Sequence, residues 1–496
     1  MASEIRVNKI NSSSGVGTIT LSPTGVDISG VTTVSTLKVG TGLTASEDGD
    51  IFFTGVCTAT TFAGSGANLT ALPAAQVTGT LPAISGANLT NLPAANLTGA
   101  LPAISGANLT GIAATDNVRT GILDVAGIAT FRSDVNLPNI NGSQIGGRRN
   151  LIINGAMNIA QRGTSSTTSG YGSVDRIQHL YSGTDEAPTF SQADVASGTT
   201  PYSLGFRKSI KVTNGNQTSG AGAADRAEIS YKAEAQDLAK SGWNYTSTSS
   251  YITLSFWIKS SVAQSFYLRL LTADGTSQRY AFETGSLSAD TWTKITKTIP
   301  GNSNLQFDNN VSEGLKISWY AFLGTDYTDS SSSDTWAAGT SGNRTPDQTS
   351  TWWTTNDSTL ELTGVQLEVG SQATPFEHED NNTTLRRCQR YFWKMGLVSG
   401  AWIYVGVMGN SSSARFRATF PVPMRANPTI TFSDLYIDSE ISGSVETVNS
   451  VATTHFNSDF GGRIEFNTSS STASSGAAVS LYPQSSSGYL QGEAEL

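Results

Sequence analysis

The stretch YITLSFWIK, residues 251–259, alternates apolar and polar side chains along most of its length. Its even-numbered positions carry large apolar residues, whereas Thr253 and Ser255 occupy two of the positions between them. Successive side chains of a β-strand point to opposite faces, so this period of two predicts a strand with one buried face. The same pattern continues in residues 265–271 and 315–320. Together these strands predict a β-sandwich.

A further strand, LELTGVQLEV at residues 360–369, has apolar positions that change from even to odd numbers across Gly364. A regular strand keeps its apolar residues on one face. The change at a glycine therefore predicts a β-bulge that redirects the side chains in the second half of the strand.

The 496 residues divide into four regions. Residues 1–50 alternate short β-type runs with turns, among them the turn SPTG at residues 22–25. Residues 51–145 contain internal repeats, and residues 146–380 contain the predicted sandwich and most of the tryptophans. Residues 381–496 form a compact final segment. We therefore expect a mainly β protein with an N-terminal β region, a repeat region, a β-sandwich and a β-rich distal domain.

The second region repeats the hexapeptide SGANLT, which occurs at residues 65–70, 85–90 and 105–110. Leucine and isoleucine recur at the same spacing in each repeat, and prolines stand directly after leucines at Pro73, Pro82, Pro93 and Pro102. Because proline is excluded from helix interiors and from central strands, the chain must stay extended here, with frequent bends.

An extended single chain cannot enclose a regular row of apolar side chains by itself. Short repeats normally gain a core by stacking on neighbours or by joining copies of themselves. These repeats are too short and too rich in Pro and Gly for helix pairs, so we expect residues 65–112 to form the intertwined shaft of a fibrous homotrimer. A disordered linker is the alternative, but regular leucine spacing is not typical of disorder.

The composition argues against several partners and locations. Charged residues make up 14% of the chain and its formal net charge is -9, which argues against a nucleic-acid partner because no dense basic stripe is present. The N-terminus lacks the apolar core of a signal peptide, and the apolar runs are too short to cross a bilayer. We therefore expect synthesis in a cytoplasm and no membrane insertion. Two widely separated cysteines, Cys57 and Cys388, do not make a disulfide framework.

Several motifs in the last two regions occur in a fixed order. They are NLIINGAMNIAQRG at residues 150–163, VDR at 174–176, LTGVQLEVG at 362–370 and PFE at 375–377, followed by CQRYF at 388–392 and FPVPMRANP at 420–428. In combination they resemble the carbohydrate-binding-module-like jelly roll of bacteriophage tail fibres and the distal segment that often follows it. One departure is Ile177, which follows the Asp-Arg pair where the family often has an aromatic residue.

The N-terminal sequence MASEIRVNKI, residues 1–10, and the GANLT repeats resemble the fibres of cyanophages. The resemblance implies a virion tail fibre that is made in the host cytoplasm. Its N-terminal region would attach to a tail or baseplate protein, and its repeats would space the tip outward. Its distal β domains would recognise a host surface polysaccharide, with lipopolysaccharide as the expected glycan.

The residues that could carry chemistry do not form a recognisable catalytic or metal-binding pattern. His179, His378 and His455 are scattered and none has the setting of a catalytic triad, so each is expected on the surface or in a loop. The acidic clusters at residues 47–50 and 377–380 lack the spacing of a metal site and are read as solvated charges. We therefore expect no cofactor, no metal and no catalysis.

Two alternatives to a glycan-binding fibre stay open. A polysaccharide-degrading tailspike needs only two suitably spaced carboxylates, and distance along the sequence does not exclude such a pair. A purely structural virion fibre of the neck or baseplate would bind no receptor at all.

Aromatic rings and polar side chains are the expected means of sugar recognition. Trp257, Trp292 and Trp319 fall within apolar strand patterns and are expected in the core. The polar span at residues 325–356 offers no strand face to bury its tryptophans. It therefore supplies three candidate ligand-binding residues, Trp336, Trp352 and Trp353.

The final segment supplies a second set of candidates. Trp402, Tyr404 and Arg415, together with Phe416, are expected to line a receptor-binding surface at the tip. By contrast, we expect Arg390, Tyr391 and Trp393 to pack at the junction with the sandwich.

Overall fold

The computed structural model describes most of the chain from residue 148 onward, namely residues 148–329, 333–396, 398–439, 443–469 and 474–496. It also describes short segments nearer the N-terminus: residues 9–11, 18–23, 25–29, 36–39, 43–46, 50–61, 63, 139–140 and 143–144. The chain divides into two compact units, residues 1–124 and residues 125–496. The shaft expected at residues 65–112 lies outside the described residues.

The described residues of the first unit form six short strands: β1 (Lys9–Asn11), β2 (Thr18–Ser22), β3 (Gly25–Ser29), β4 (Thr36–Val39), β5 (Leu43–Ser46) and β6 (Ile51–Phe53). They pair as two antiparallel sheets with the orders β1-β2-β3 and β4-β5-β6. Ser22 pairs with Gly25 at the end of the β2–β3 hairpin, which confirms the turn predicted there.

The second unit begins with the hairpin strands β7 (Asn139–Ile140) and β8 (Ser143–Gln144). Twelve further strands follow: β9 (Ser165–Ser166), β10 (Ile177–Ser182), β11 (Thr189–Asp194), β12 (Lys208–Thr213), β13 (Arg226–Glu234), β14 (Tyr251–Ser260), β15 (Tyr267–Thr272), β16 (Gln278–Glu283), β17 (Thr293–Pro300), β18 (Glu313–Leu323), β19 (Trp336–Ala338) and β20 (Thr359–Val369). They form two six-stranded antiparallel sheets with the orders β10-β13-β18-β15-β16-β19 and β17-β14-β20-β12-β11-β9.

Both sheets contribute to one apolar core, as expected for a β-sandwich. The even-numbered apolar residues of YITLSFWIK, which lie on β14, are fully buried in it. Trp319 of β18 packs edge-on against Phe256 of β14, with ring centroids 5.7 Å apart. The predicted strands at residues 251–259, 265–271 and 315–320 are therefore confirmed as β14, β15 and β18.

The bulge predicted at Gly364 is also present. Trp257 of β14 pairs with Thr363 of β20, but Ser255 pairs with Gln366, so β20 contains one extra residue at this point. Gly364 has a φ of 62°, which favours glycine. A Cβ atom added to it would lie 2.7 Å from the Phe206 ring, so the side chain is excluded by contact as well as by conformation.

Four helices occur in the described residues: α1 (Thr200–Ser203), α2 (Ala235–Ala239), α3 (Thr351–Thr354) and α4 (Asn381–Gln389). Within this part of the chain, none has the length and apolar character that crossing a bilayer would require. The side chain of Asp380 accepts hydrogen bonds from the backbone N–H groups of Asn382 and Thr383 and so caps the start of α4.

The final segment continues with nine strands: β21 (Phe392–Gly396), β22 (Tyr404–Asn410), β23 (Ser413–Thr419), β24 (Thr429–Ser433), β25 (Leu435–Ser439), β26 (Ser444–Ser458), β27 (Gly461–Thr468), β28 (Ala478–Pro483) and β29 (Tyr489–Glu493). Six of them close a barrel in the order β22-β23-β27-β26-β25-β28, and the other three form the sheet β21-β29-β24. The expectation of a β-rich final segment is confirmed.

The junction between sandwich and barrel is built from side chains of both. Tyr391 belongs to the sandwich core, whereas Trp393, two residues later, belongs to the barrel core. Arg390 donates two hydrogen bonds to the Glu234 carboxylate, at 2.7 and 2.9 Å, and the Tyr391 hydroxyl donates a third at 2.5 Å. The expectation that Arg390, Tyr391 and Trp393 pack at the junction is confirmed.

The Asp-Arg pair at residues 175 and 176 also lies at this junction. Arg176 is fully buried, its guanidinium stacks 3.5 Å from the Tyr391 ring centroid, and it pairs with Glu495 near the end of the chain. Asp175 accepts hydrogen bonds from the backbone and side chain of Gln161, at 2.9 and 2.5 Å. Burial raises the pKa of Asp175 to about 6 despite these bonds. The motif thus joins the two domains.

Candidate functional site

The outer wall of the barrel carries an exposed group of apolar and cationic side chains. We define the barrel face by eight of them: Trp402, Val405, Val407, Arg415, Arg417, His455, Phe460 and Arg463. Strand β23 shows why the arginines are here. In its sequence SARFRAT, Ala414, Phe416 and Ala418 point into the barrel and are buried, so Arg415 and Arg417 must point outward.

A depression of about 660 Å³ occupies the cationic half of the barrel face. Its walls include Arg415, Arg417, His455 and Arg463, and Phe460 stands at its edge with 62% of its surface exposed. This volume lies within the range of small-molecule sites in proteins. The depression is therefore large enough for a short oligosaccharide.

Two consecutive glycines at the start of β27 also line this depression. Gly461 has a φ of 142°, and a Cβ atom there would clash with the carbonyl oxygen of Ala418. A Cβ atom on Gly462 would clash with the carbonyl oxygen of His455. The neighbouring Phe460 is held by its own carbonyl, which accepts a hydrogen bond of 2.9 Å from the Phe420 N–H. The ring at the edge is thus attached to a fixed backbone.

The other half of the barrel face is apolar. Trp402 and Val405 each expose 64% of their surface, and Val407 exposes 48%. These three residues, with Ala478 of the adjacent strand β28, line a second depression of about 350 Å³. Val407 lines both depressions, so the apolar and cationic halves meet at its side chain. This exposed apolar surface makes the apolar half of the barrel face a candidate for a binding contact.

The carboxylate of Glu465 lies between two arginines of the barrel face. The Nε atom of Arg415 is 3.3 Å from Oε2 of Glu465, and Nη2 of Arg463 is 3.8 Å from the same oxygen. Partial burial raises the pKa of Glu465, but the hydrogen bonds from Ser413 and Arg415 outweigh it and lower the pKa below the ordinary value. Glu465 therefore stays ionised and orients the two arginines.

Two of the predicted tip residues, Trp402 and Arg415, lie on the barrel face, and the other two do not. The Tyr404 hydroxyl donates to the Thr419 carbonyl at 3.0 Å, and burial raises the pKa of this tyrosine to about 12. Phe416 is fully buried inside the barrel. The expectation that Phe416 lines a surface is wrong, because it alternates with the outward arginines on β23.

The three tryptophans predicted as ligand contacts in the polar span are buried. Trp352 and Trp353 have no exposed surface and Trp336 has 9%. The short helix α3 turns both adjacent indoles into the sandwich core, where the Trp353 ring lies 5.1 Å from Phe322. The indole N–H of Trp336 donates to the Pro300 carbonyl at 2.7 Å. These three predictions are corrected: a buried indole offers no face to a sugar.

The tryptophans expected in the core differ from one another in burial. Trp319 is buried, as expected. Trp257 and Trp292 are only partly buried, and the Lys259 ammonium lies 5.2 Å from the Trp292 ring centroid. For Trp257 and Trp292 the expectation of a core position is wrong, because both indoles keep part of their surface in solvent.

The three histidines also differ in their exposure to solvent. His378 and His455 are exposed, but His179 is fully buried and stacks on Phe190 with ring centroids 4.3 Å apart. The expectation of a surface position for His179 is wrong. Its Nε2 atom lies 3.1 Å from the Ser173 hydroxyl, inside the core and out of reach of a substrate. Burial lowers the pKa of His179 to about 3.

Each member of the acidic cluster at residues 377–380 has a partner in the protein. Glu377 accepts from the backbone N–H of Asn150 at 2.6 Å, and His378 lies 2.9 Å from the Leu204 carbonyl. Glu379 pairs with Arg387, and Asp380 caps α4. No group of three potential metal ligands occurs among the described residues. The other cluster, at residues 47–50, lies outside them apart from Asp50.

Six residues of the barrel face were not candidates from the sequence: Val405, Val407, Arg417, His455, Phe460 and Arg463. The alternation of arginine with buried residues in SARFRAT was a usable signal for Arg417. His455 and Arg463 become neighbours only through the register of β26 and β27, which the sequence does not specify.

The chain matches no known family model, and no curated protein matches it. Several solved structures are similar to part of it. The enzymatically active domain of tailspike protein 4 of bacteriophage CBA120 is 10% identical over 44% of this chain and 21% of that chain, with a TM-score of 0.23. This chain thus covers about a fifth of the tailspike domain.

Two carbohydrate-binding modules are similar over a comparable part of the chain. The N-terminal cellulose-binding domain of Cellulomonas fimi β-1,4-glucanase C is 12% identical over 44% of this chain and 99% of that chain, with a TM-score of 0.21. The family 11 module of Clostridium thermocellum, solved with a β-1,3-1,4-mixed-linked tetrasaccharide, is 10% identical over 42% of this chain and 98% of that chain, with a TM-score of 0.20. Values this low assign the chain to no family.

Proposed function

We propose that this protein is a virion tail fibre that binds a host surface glycan through its barrel face, without catalysis. The observation that carries the proposal is the exposed Trp402 beside a depression lined by arginines. Sugars present C–H surfaces that pack on aromatic rings, and hydroxyl groups that accept hydrogen bonds from guanidinium groups. The barrel face supplies both kinds of contact within one continuous surface.

The fibre part of the proposal depends on the sequence motifs. The repeats at residues 65–112 favour a trimeric shaft, and the N-terminal motif at residues 1–10 is similar to cyanophage fibres. In the proposed arrangement, the N-terminal region attaches to a tail or baseplate protein and the distal domain reaches the host. A mass measurement of the full chain in solution tests this part, because a monomer would contradict it.

The polysaccharide-degrading alternative has less support at this site. Glycoside hydrolysis ordinarily uses two carboxylic acids on either side of the scissile bond. Among the residues that the structure describes, those lining the larger depression include no Asp or Glu, and Glu465 beside it is held by Ser413 and Arg415. Incubation with bacterial envelope polysaccharides, followed by an assay for new reducing ends, tests this point directly. New reducing ends would contradict the non-catalytic proposal.

The binding experiment uses the full chain and a panel of purified bacterial envelope polysaccharides. Trp402→Ala should lower binding to the polysaccharide that the wild type retains. Leu204→Ala is the matched control, because Leu204 is also an exposed apolar residue, at 51%, but lies in the sandwich. Unchanged binding by Trp402→Ala, or equal losses in both variants, would overturn the assignment of the site.

A further inference from the structure

The cationic half of the barrel face contains a lateral row of three side chains on three neighbouring strands. Arg417 of β23 stands directly opposite Arg463 of β27, and Arg463 stands opposite His455 of β26. All three line the larger depression. Like charges placed directly opposite one another on neighbouring strands destabilise a sheet. The pairing of Arg417 with Arg463 therefore opposes the stability of the free domain.

The adjacent row on the same three strands differs because it contains a carboxylate. There Arg415 stands opposite Glu465, which stands opposite Thr453, so that the cation has a carboxylate beside it. Glu465 is the one carboxylate that the arginines of this depression share within the described residues. Three guanidinium groups with one counter-charge leave an excess of positive charge, although the whole chain has a formal net charge of -9.

The hydrogen bonds of the row also indicate that its positive charge is not fully compensated. In the described part of the chain, the Arg417 side chain has neither an ion pair nor a hydrogen bond, and it is exposed. The Arg463 side chain is 42% exposed, and its Nη2 atom lies 3.8 Å from the Glu465 carboxylate. A ligand that brings anionic oxygens to this row would offer acceptors to the exposed guanidinium groups and relieve the repulsion.

We propose that the row Arg417–Arg463–His455 selects an acidic saccharide, one that carries a carboxylate or a phosphate. This inference rests on the proposed function and names its ligand class. Guanidinium groups bind both anions through paired hydrogen bonds. Phe460 and Val407, which also line the depression, supply apolar surface for the C–H face of the same sugar.

A nucleic acid is a less suitable anion for this surface. Binding to its phosphate backbone depends on many basic residues that neutralise several phosphates along the chain. Here the positive charge is confined to one depression on a chain with a net negative charge. The local excess suits one or two anionic groups on a small ring, which is what an acidic saccharide presents.

Calorimetry with the full chain tests the proposal. The probes are a uronic acid oligosaccharide, its neutral methyl ester and a sugar-phosphate oligosaccharide, and duplex DNA serves as a competitor. The wild type should bind one or both acidic probes more tightly than the ester, and added salt should weaken that binding. Arg417→Gln and Arg463→Gln should each lower the affinity for the acidic probe about tenfold, because each removes a charged hydrogen-bond donor.

Arg386→Gln is the matched control, since Arg386 is an exposed arginine on α4, away from the barrel face. Thermal unfolding should show no loss of stability in any variant relative to the wild type, which excludes misfolding. The proposal fails if the ester binds as tightly as the acid, if both barrel-face variants bind normally, or if DNA binds the row more tightly than the saccharides. Trp402-dependent binding of neutral glycans in those cases would preserve the proposed function, whereas failure of every saccharide to bind would overturn both.

Discussion

Arg176 and Glu495 are 319 residues apart in the sequence and form an ion pair at the junction of the sandwich and the barrel. Arg176 is fully buried beneath the Tyr391 ring, and only 4% of the Glu495 side chain is exposed. Arg162 also contacts Glu495, at 3.2 Å. One carboxylate near the end of the chain therefore pairs with two guanidinium groups that enter the junction from the start of the sandwich.

The first prediction concerns this pair. Glu495→Gln should destabilise the protein by about 3 kcal/mol, because it leaves the Arg176 charge buried without its partner. Glu493→Gln is the control: its side chain is 43% exposed and lies 3.5 Å from Arg162, so its loss should cost less than about 1 kcal/mol. Denaturant unfolding of both variants makes the comparison. Equal losses would show that the buried pair contributes no more than a surface pair.

The buried His179 predicts a dependence of stability on pH. Its folded pKa of about 3 lies below the ordinary value of 6.5, so the unfolded chain takes up a proton on His179 before the folded chain does. Its contribution is present above pH 6.5 and is lost as the pH falls toward 3, amounting to roughly 5 kcal/mol over that range.

His179→Phe isolates this effect. Subtracting the free energy of unfolding of the variant from that of the wild type cancels the contributions of the other groups that titrate over the same range. Among these is Asp175, whose raised pKa gives a contribution of the opposite sign: it is present below pH 3.8 and is lost as the pH rises through about 6. The stability of the variant relative to the wild type should improve as the pH falls from 7 to 4. His378→Phe, at an exposed histidine, is the control. A difference in the free energy of unfolding between His179→Phe and the wild type that does not change with pH would contradict a neutral, buried imidazole at this position.

The bulge on β20 predicts a different response at two glycines. Gly364→Ala combines a positive φ with a Cβ contact on Phe206, and we expect a loss of about 2–3 kcal/mol from conformation and overpacking together. Gly285→Ala has a similar φ of 72° but no atom within 4 Å of the added Cβ, so only the conformational cost of about 1 kcal/mol applies. Thermal unfolding of both variants separates the conformational cost from the cost of overpacking against Phe206. Similar losses would mean that the Phe206 ring moves aside.

Local patterns in the sequence were sufficient for the sandwich strands and for the bulge. In both cases the signal is the period of two, which arises within a few neighbouring residues such as 251–259 and 360–369. The pairing of Arg176 with Glu495 has no local signal, because it depends on how the end of the chain returns to the start of the sandwich. Likewise, Arg417 and Arg463 become neighbours only through the register of β23 and β27.

The tryptophans show why polar composition misled the site prediction. Residues 325–356 are rich in Ser, Thr, Asp and Gly, which is typical of an exposed loop. The segment nevertheless packs on the sandwich, and α3 buries Trp352 and Trp353 together. A strand would direct two adjacent indoles to opposite faces, whereas the helical turn α3 directs both into the sandwich core.

This correction gives a fourth prediction, in which substitutions of two tryptophans differ greatly in their effect on stability. Trp353→Ala should cost about 3–5 kcal/mol of stability, because it opens a cavity in the core beside Phe322. Trp402→Ala should change stability by less than about 0.5 kcal/mol, since its side chain is mostly in solvent. Denaturant unfolding provides the measurement. A large loss of stability in Trp402→Ala would show that this indole is structural and would remove it from the binding site.

The last prediction concerns Glu465, which holds Arg415 and Arg463 on the barrel face. Glu465→Gln removes the counter-charge but keeps an oxygen that can accept from the Ser413 hydroxyl, now at 3.0 Å, so the stability loss should be only about 1 kcal/mol. The affinity for an acidic saccharide should rise about fivefold at low salt, because one repulsive charge near the ligand is gone, and the gain should shrink as salt is added. Glu493→Gln makes the same charge change at the junction and should leave the affinity unaltered. Calorimetric titration of both variants provides the comparison. A lower affinity in Glu465→Gln would mean that the carboxylate is needed to position the two arginines, and that its orienting effect outweighs its charge.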